Sequence, residues 1–563
     1  MPFHATHPIL LAACAAMGGL ASCATAAAVA TAARVPRYGV FEIVLTCDEA
    51  PGNPFWDATP SAVFHAPSGA TVPVAGFYYG QNEWRIRFVP RESGPWTWAA
   101  SLRTPGTVVE RQGAFLCEGS AGHGFLRRSL RNPYRLEQDD GTPFYPLAIQ
   151  TGGLLSHGFD GPNADGSWRN VTNAEWIAAF TGAVNLVRLQ LGQGTTAGCA
   201  MPLIPVPPRH ATNAPPPAAL PADRYDTALA AAIDTCYQQQ CAAGLRQMVN
   251  LFQDMSLWGS APSAFGSGRD LSANGYKSIH AANLPMQQKY IRYIVARWGC
   301  YVDVWELFNE DSYAPNDYLA LLAQTVRDAD PYGHLLTTNY GRPAETWCDV
   351  VTWHEYMGLA PNQVDAYLTQ QIGIYKSYGK VVLNTEFGNQ GQLSNVDPVK
   401  WRIAVWAAFM NESSLLFWDM SGSRLPAGRT GGHGNANAYI GADSRQHFRV
   451  LNAFTQDLPV DLRPVTFGNH AQADIRTYAL SNGRIAVLYV HHFSDHATVV
   501  TTPWPLQLTT GPGRFRLRWT DPADGREVLT TDAVTENQVL EIRLPPVQVD
   551  LACRVDRLGD AAR

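Results

Sequence analysis

Between Phe144 and Asp419 one alternation recurs eight times: a short apolar run rich in β-branched residues, then a helical or loop return. The runs are Phe144–Gln150, Val184–Gln190, Arg246–Phe252, Val302–Asn309, His334–Asn339, Val350–Tyr356, Lys380–Phe387 and Ser414–Asp419. Helical patterns lie at Thr172 to Phe180, opened by a Thr172/Glu175 capping box, at Tyr225 to Ala243, and at Pro285 to Trp298 with proline in the first turn. Others span Tyr318 to Asp328, Asn362 to Tyr378, Val396 to Met410 and Ser444 to Phe454. Strands separated by helices run parallel, because each helix carries the chain back to the same end of the sheet. Eight such units predict an α/β fold, a (β/α)8 TIM barrel. Three long insertions, Gly192 to Arg224, Asp254 to Asn283 and Ser421 to Asp443, each follow the carboxyl end of a strand, the face on which such barrels build their sites. Trp258, in the second insertion, is a candidate for lining the cleft.

Both flanks read differently. From Tyr38 to about Cys117 short alternating strands, among them Val40-Phe41-Glu42-Ile43-Val44-Leu45 and Trp84-Arg85-Ile86-Arg87-Phe88-Val89, are separated by Pro, Gly and Asn, which predicts a β-sandwich. The stretch Trp84 to Trp98 resembles the sandwich of unassigned function that precedes barrels in many bacterial polysaccharide-degrading enzymes, where it packs on the barrel or shapes the cleft. Beyond Pro464 strands return at Ala473–Leu480, Ile485–His491, Phe515–Trp519 and Val539–Leu544, with turns at Asn482-Gly483 and Asp524-Gly525. They predict a second sandwich, similar to the C-terminal β domains of many barrel glycosidases. His491 and His492, alternating across one strand, read as ordinary core and surface residues. The expected division is 1–33 export signal, 34–120 N-terminal β-sandwich, 125–460 catalytic barrel and 464–556 C-terminal β-sandwich.

The apolar run Ile9 to Ala16, followed by small residues, is too short to span a bilayer and reads as an export signal. Leu20-Ala21-Ser22-Cys23 resembles a bacterial lipoprotein box, which would attach the protein to a membrane through a lipid on Cys23; cleavage among Ala24 to Ala33 is the alternative. The expected location is exported: periplasmic, cell-surface or secreted. Eight of the ten cysteines lie beyond this segment, an even number suited to disulfides in an oxidising compartment, with Cys47 and Cys117 the expected pair. None shows metal-ligand spacing, and the 15 histidines are scattered, so neither a metal nor another cofactor is expected. A formal net charge of −6 supplies no basic surplus to neutralise phosphates, which argues against nucleic acid as a partner. Oligomeric state is not readable.

Two carboxylates end strand-like runs: Glu310 in Val304-Trp305-Glu306-Leu307-Phe308-Asn309-Glu310, on the fourth, and Glu386 in Val381-Val382-Leu383-Asn384-Thr385-Glu386, on the seventh. Paired carboxylates at the mouth of a barrel suit cleavage of a glycosidic bond. The order resembles glycoside hydrolase clan A, a superfamily of retaining glycosidases whose acid/base Glu follows Asn at the end of strand four and whose nucleophile ends strand seven. That resemblance covers about Phe125 to Phe454. It implies that Glu386 attacks the anomeric carbon, that Glu310 acts as acid and then base with the higher pKa, and that Asn309 bonds the substrate 2-hydroxyl. By strand and residue type it further implies that Arg188 holds the nucleophile ionised, that His354 and Tyr356 line the site with the phenol donating to the nucleophile, and that Trp418 floors the sugar subsite. Asp311 stands where several member families carry Pro, so no member family is assigned. Glu306, on the same strand face as Glu310 but deeper, reads as structural, and Glu355 alternates away from His354 and Tyr356. The expected substrate is a β-linked oligo- or polysaccharide, with endo-β-glucanase or β-mannanase as the leading subclass. The alternatives are an exo-acting β-glycosidase of the same clan and a secreted carbohydrate-binding barrel without chemistry.

Overall fold

The computed structural model describes residues 33–151, 172–191, 223–252, 273–311, 314–356, 358–388, 397–417, 442–468, 474–501 and 505–560, with side chains of the helix at 273–298 described from 284 onward. Trp258, Trp418, Cys23 and most of the three insertions lie outside these residues. Eight parallel strands form the central sheet: β1 (Ala148–Thr151), β2 (Leu186–Gln190), β3 (Arg246–Phe252), β4 (Val304–Phe308), β5 (Leu335–Thr337), β6 (Val350–Glu355), β7 (Val381–Phe387) and β8 (Ser414–Phe417). Their order, β5-β4-β3-β2-β1-β8-β7-β6, is a sheet curled until its ends nearly meet. Seven helices fill the connections: α1 (Asn173–Phe180), α2 (Thr227–Ala242), α3 (Ala273–Trp298), α4 (Asn316–Ala329), α5 (Pro361–Lys376), α6 (Pro398–Met410) and α7 (Ala442–Thr455). This is the expected (β/α)8 barrel, with antiparallel sheets on either side. No described helix is long and apolar enough to cross a membrane.

Period-two alternation along each strand builds the interior in layers. The lowest is apolar and takes Ala148, Leu186, Met248, Val304, Leu335, Val350, Val381 and Leu416, one from each strand. Two residues further along six of these strands the inward positions turn polar and stay buried: Gln150, Arg188, Asn250, Glu306, Thr337 and Thr352. Buried polar side chains are expensive unless they find partners; Gln150, Arg188 and Glu306 are bonded together, Thr337 and Thr352 bond backbone carbonyls, and the layer forms the floor of the site described below.

Several expectations change. The first run does not begin at Phe144. Pro146, which has no amide hydrogen for a ladder, separates β1 from Pro143–Phe144, which pairs with Leu136–Gln138, itself paired on its other edge with Leu126–Arg128 in a three-stranded antiparallel sheet. Leu126, Leu136 and Phe144 from that sheet join the apolar layer and plug the bottom of the barrel. Pro285 is interior to α3, not in its first turn, because the helix begins at Ala273. The expected Cys47–Cys117 bridge is absent, and both thiols are free. Cys117 sits in the five-stranded sheet and Cys47 just beyond the end of Phe41–Thr46 in the three-stranded one, its thiol 3.2 Å from the Glu49 carbonyl. The seven described cysteines are all free. The capping box is present: Thr172 accepts from the Glu175 amide, and Glu175 accepts from the amide of Thr172.

The barrel's two ends, β5 and β6, are joined without a backbone ladder. The Thr337 hydroxyl donates to the Val350 carbonyl at 2.7 Å and the Thr352 hydroxyl to the Thr338 carbonyl at 2.9 Å. Asp349 completes the join, its amide donating to the Leu336 carbonyl at 2.8 Å and its carboxylate accepting from the Leu336 amide at 2.8 Å. The connection between these strands, 338–349, contains no helix.

On the amino-terminal side a five-stranded and a three-stranded sheet enclose one core containing Phe64, Trp84, Phe88, Trp96 and Phe115. This unit grips the barrel through charge. Arg87 donates to both oxygens of Asp234 on α2, at 2.9 and 3.1 Å, and Arg297 on α3 binds the same carboxylate at 3.1 and 2.7 Å. On the carboxyl-terminal side a six-stranded and a three-stranded sheet share a second core built around Phe515, Leu517 and Trp519. They dock on α5 and α6, where Arg402 grips Asp550 at 3.0 and 2.8 Å and Asp365 accepts from Arg476 at 2.6 Å. His491 is wholly buried at that junction, 2.8 Å from Asp365. His492 is also buried, so the expectation of a surface-and-core pair fails for it.

Candidate active site

Arg188, on β2, organises the polar layer. Its guanidinium is fully buried and faces four acceptors. Nε and Nη2 donate to the two oxygens of Glu306 at 2.6 and 2.8 Å, Nη1 donates to Glu386 Oε1 at 2.8 Å and also to Gln150 Oε1, and Nη2 donates to Asn309 Oδ1 at 2.7 Å. One cation thus serves two buried carboxylates, and the planar fork explains why Arg and not Lys stands here. Glu306 is structural, as expected, and it is the partner Arg188 holds with both prongs. Accepting from Arg188 orients the Asn309 amide with its NH2 group as the donor.

Glu386 reaches this layer through an irregularity. Straight alternation from Val381 and Leu383 would turn Thr385 inward. The ladder between β6 and β7 instead shifts register, pairing Trp353 with Asn384 but His354 with Glu386. This extra residue is a β-bulge, a device that re-aims a side chain, and it brings Glu386 inward beside His354. Glu386 is wholly buried, with the Tyr356 hydroxyl donating to Oε2 while Arg188 holds Oε1.

Glu310, just past β4, has φ +50°, a left-handed conformation uncommon for a residue with a side chain. Its amide donates to Asn339 Oδ1 at 3.2 Å, and the other end of the Asn339 amide donates to Thr385 Oγ1 at 3.4 Å. Asn339 is therefore a strut between the ends of the strands that carry the two carboxylates. His354 Nδ1 stands 2.8 Å from Glu310 Oε1 and 3.2 Å from Glu386 Oε2. One oxygen of Glu310, one of Glu386 and a ring nitrogen of His354 all lie within 4.8 Å of one another. The Tyr340 hydroxyl lies 3.4 Å from Glu310 Oε1. Glu355 points the other way, accepting from Tyr367 on α5.

The structure therefore gathers Glu310, Glu386, Arg188, Asn309, His354 and Tyr356 at one mouth of the barrel. Trp258 and Trp418 are not among the described residues. Sequence reasoning did not find Gln150, Asn339 or Tyr340. The first carried a signal, since it ends an apolar strand at the position two after Ala148; the other two depend on backbone turns that composition does not announce. Among the described residues Glu310, His354 and Glu386 are the one trio with metal-ligand proximity. Both Glu386 oxygens already accept from Arg188 and Tyr356, and a guanidinium supplies the positive charge, so these residues are arranged for a proton between carboxylates.

Electrostatics set the protonation of these carboxyls. Burial pushes the Glu386 carboxyl well above the ordinary glutamate range, against the pull of Arg188 and with the charge of Glu310 adding to the rise. Burial raises Glu310 too, but the hydrogen bond and charge of His354, then Arg188 and Tyr340, outweigh it and hold Glu310 below the ordinary value. Burial holds His354 itself down to about 4, so at neutral pH it is an uncharged donor. The expectation that Glu310 has the higher pKa is thus reversed, because Glu386 is the more deeply buried of the two. A stability consequence follows. A carboxyl whose folded pKa exceeds its unfolded value loses stability for the fold as pH rises above about 4.5. Glu386→Gln is therefore expected to raise Tm at pH 7 by a few degrees, with the gap widening from pH 4.5 upward, since Arg188 keeps Glu306. A pH series of thermal melts showing an equal or lower Tm in the variant would refute this.

Comparison with known proteins supports the architecture. Residues 34–103 match the model of a domain of unknown function (DUF5060). No curated protein matches the chain. Among solved structures the chain is similar to a provisionally assigned glycoside hydrolase from Bacteroides vulgatus ATCC 8482, with a TM-score of 0.69, 18% identity, and coverage of 93% of this chain and 100% of the other. A second glycoside hydrolase has a TM-score of 0.52 and 12% identity, over 77% and 97% of the two chains. A family 5 glycoside hydrolase from the same Bacteroides strain has a TM-score of 0.51 and 11% identity, over 78% and 94%. The chain shares the fold of the first of these structures along 93% of its length and that of the other two along 77% and 78%.

Proposed function

We propose that the protein is an exported glycoside hydrolase that cleaves β-linked oligo- or polysaccharide with retention, by double displacement, with Glu386 as nucleophile and Glu310 as acid/base. The observation that carries this reading is the approach of the two carboxylates, with oxygens within 4.8 Å, across a site whose other groups all serve one of them. Retaining glycosidases hold their carboxyl groups about 5–5.5 Å apart, whereas inverting ones leave room for a water at about 6.5–9.5 Å. That the similar folds above are glycoside hydrolases is in keeping with it.

In the first step a Glu386 oxygen bonds to the anomeric carbon as the glycosidic C–O bond breaks, and the proton of Glu310 passes to the leaving oxygen. In the second, Glu310 takes a proton from water, whose oxygen bonds to the anomeric carbon and releases Glu386. The Asn309 amide donates to the sugar 2-hydroxyl, a bond that strengthens as positive charge develops. Chemistry requires the shared proton on Glu310. Positive charge at the anomeric carbon favours ionised Glu386, so the loaded site draws the proton across, and the two groups titrate as a pair. The reaction needs no metal or organic cofactor. An endo-acting β-glucanase or β-mannanase is the leading subclass.

A panel of aryl β-glycosides and plant, fungal and algal polysaccharides, followed by proton NMR of the first products, tests the reading. The expected product has the β configuration before mutarotation. An α product appearing first would exclude the retaining mechanism, and glycan binding without any product would favour a carbohydrate-binding barrel.

A further inference from the structure

Tyr340, the first residue beyond Asn339 at the end of β5, belongs to neither the sequence-derived site nor the mechanism above. The residue is 42% exposed, while the residues just before it on β5 and beyond, Leu335 to Asn339, are all buried. Its φ is +50°, a left-handed conformation for an aromatic residue, and such backbone strain persists only where surrounding structure over-determines it. That structure is Arg342, which donates to the Tyr340 carbonyl at 2.5 Å, to the Ala314 carbonyl at 3.1 Å and to Asn316 Oδ1 at 2.8 Å, tying the turn after β5 to the turn after β4. The ring lies with its centroid 5.9 Å from that of His354, and its hydroxyl is 3.4 Å from Glu310 Oε1. Tyr340 therefore stands on the Glu310 side of the carboxylate pair.

In a double displacement the group that leaves departs past the acid/base, away from the nucleophile. A sugar ring presents a face of C–H bonds that packs on an aromatic ring, and a pre-positioned ring binds it with little ordering cost. We propose that Tyr340 is the wall of the leaving-group subsite, on which a sugar of the departing chain stacks, and that the enzyme is accordingly built for glycans that continue beyond the scissile bond. This rests on the retaining reading and deepens it, because it makes the preferred leaving group itself a sugar. It also assigns the hydroxyl a second part: donation to Glu310 favours the ionised carboxylate needed in the second step.

The test compares Tyr340→Ala and Tyr340→Phe with the wild type, using the 2,4-dinitrophenyl β-glucoside or β-mannoside the wild type cleaves and adding cellobiose or mannobiose as acceptor. The glycosyl-enzyme then partitions between water and the added sugar, and the ratio of transfer to hydrolysis reads the leaving-group subsite independently of total activity. Tyr340→Ala is expected to lower that ratio roughly tenfold, and to lower kcat/KM on oligosaccharide more than on the aryl glycoside. Tyr340→Phe keeps the ratio but moves the alkaline limb of the pH profile upward, because Glu310 loses a donor that lowers its pKa. A ratio unchanged in Tyr340→Ala, in an enzyme that cleaves the aryl glycoside, overturns this proposal alone. A wild type inert on every glycoside and glycan overturns it together with the retaining reading.

Discussion

On the proposed mechanism, Glu386→Ala is expected to abolish steady-state turnover on every substrate the wild type accepts, a loss of several orders of magnitude, because the covalent glycosyl-enzyme can then no longer form. The cavity left by the carboxylate has a defined chemistry. Arg188 Nη1 and the Tyr356 hydroxyl, which donate to Glu386, still point into it. A small anion such as azide fits that cradle and attacks in place of the missing carboxylate. The product would be a glycosyl azide of inverted configuration, α from a β substrate, detectable by mass and by its anomeric proton coupling. Rescue should require a good leaving group, since Glu310 then need not deliver a proton. Full activity in Glu386→Ala, or an azide adduct of retained configuration, would show that another group is the nucleophile.

Glu306→Ala is expected to be the most destabilising single change in the barrel, by about 3–5 kcal/mol, the cost of leaving one partner of a buried ion pair alone. Arg188 would lose both bonds to Glu306 and keep only those to Glu386, Gln150 and Asn309. The released prongs of the guanidinium have no water to turn to, since Arg188 and Glu306 are both wholly buried. On the proposed mechanism activity is expected to fall with stability, because the guanidinium that holds Glu386 Oε1 at 2.8 Å would no longer be fixed by Glu306. Denaturant unfolding at pH 7 checks the first effect and kcat/KM below the unfolding transition the second. A variant within about 1 kcal/mol of the wild type would mean that Glu386, Gln150 and Asn309 suffice to hold Arg188, a result at odds with the two-pronged geometry.

Period two explains why much of this site could be read from the chain. Arg188 and Glu306 stand two positions beyond apolar inward residues, and His354 and Tyr356 continue the same face of β6 from Val350 and Thr352. Glu386 breaks that rule, with parity that places it outside the barrel until the bulge after Asn384 is counted; its place at the end of the seventh apolar run pointed to it, and the resemblance to a known order of motifs gave it a role. A bulge leaves no mark in composition. The first strand was set too early because Phe144 is as apolar as its neighbours, and Pro146 is a weaker signal than a run of hydrophobic residues. The disulfide expectation counted cysteines without knowing which sheet each would join. The order of the two carboxyl pKa values was misjudged for a different reason: it depends on which of them is the deeper buried and on where one imidazole nitrogen points.

The join between β5 and β6 places an unusual demand on two residues. Elsewhere around the barrel any amino acid other than proline could hold its neighbour, since the backbone does the work. At 337 and 352 the closure leans on side-chain hydroxyls, so valine, nearly the same size and equally at home in a strand, would fill the space and leave the join to Asp349. Tyr340 and His354 stand on opposite lips of this join. The width of the gap across which Glu310 meets its imidazole partner thus depends on a pair of threonines and an aspartate that lie outside the carboxylate cluster.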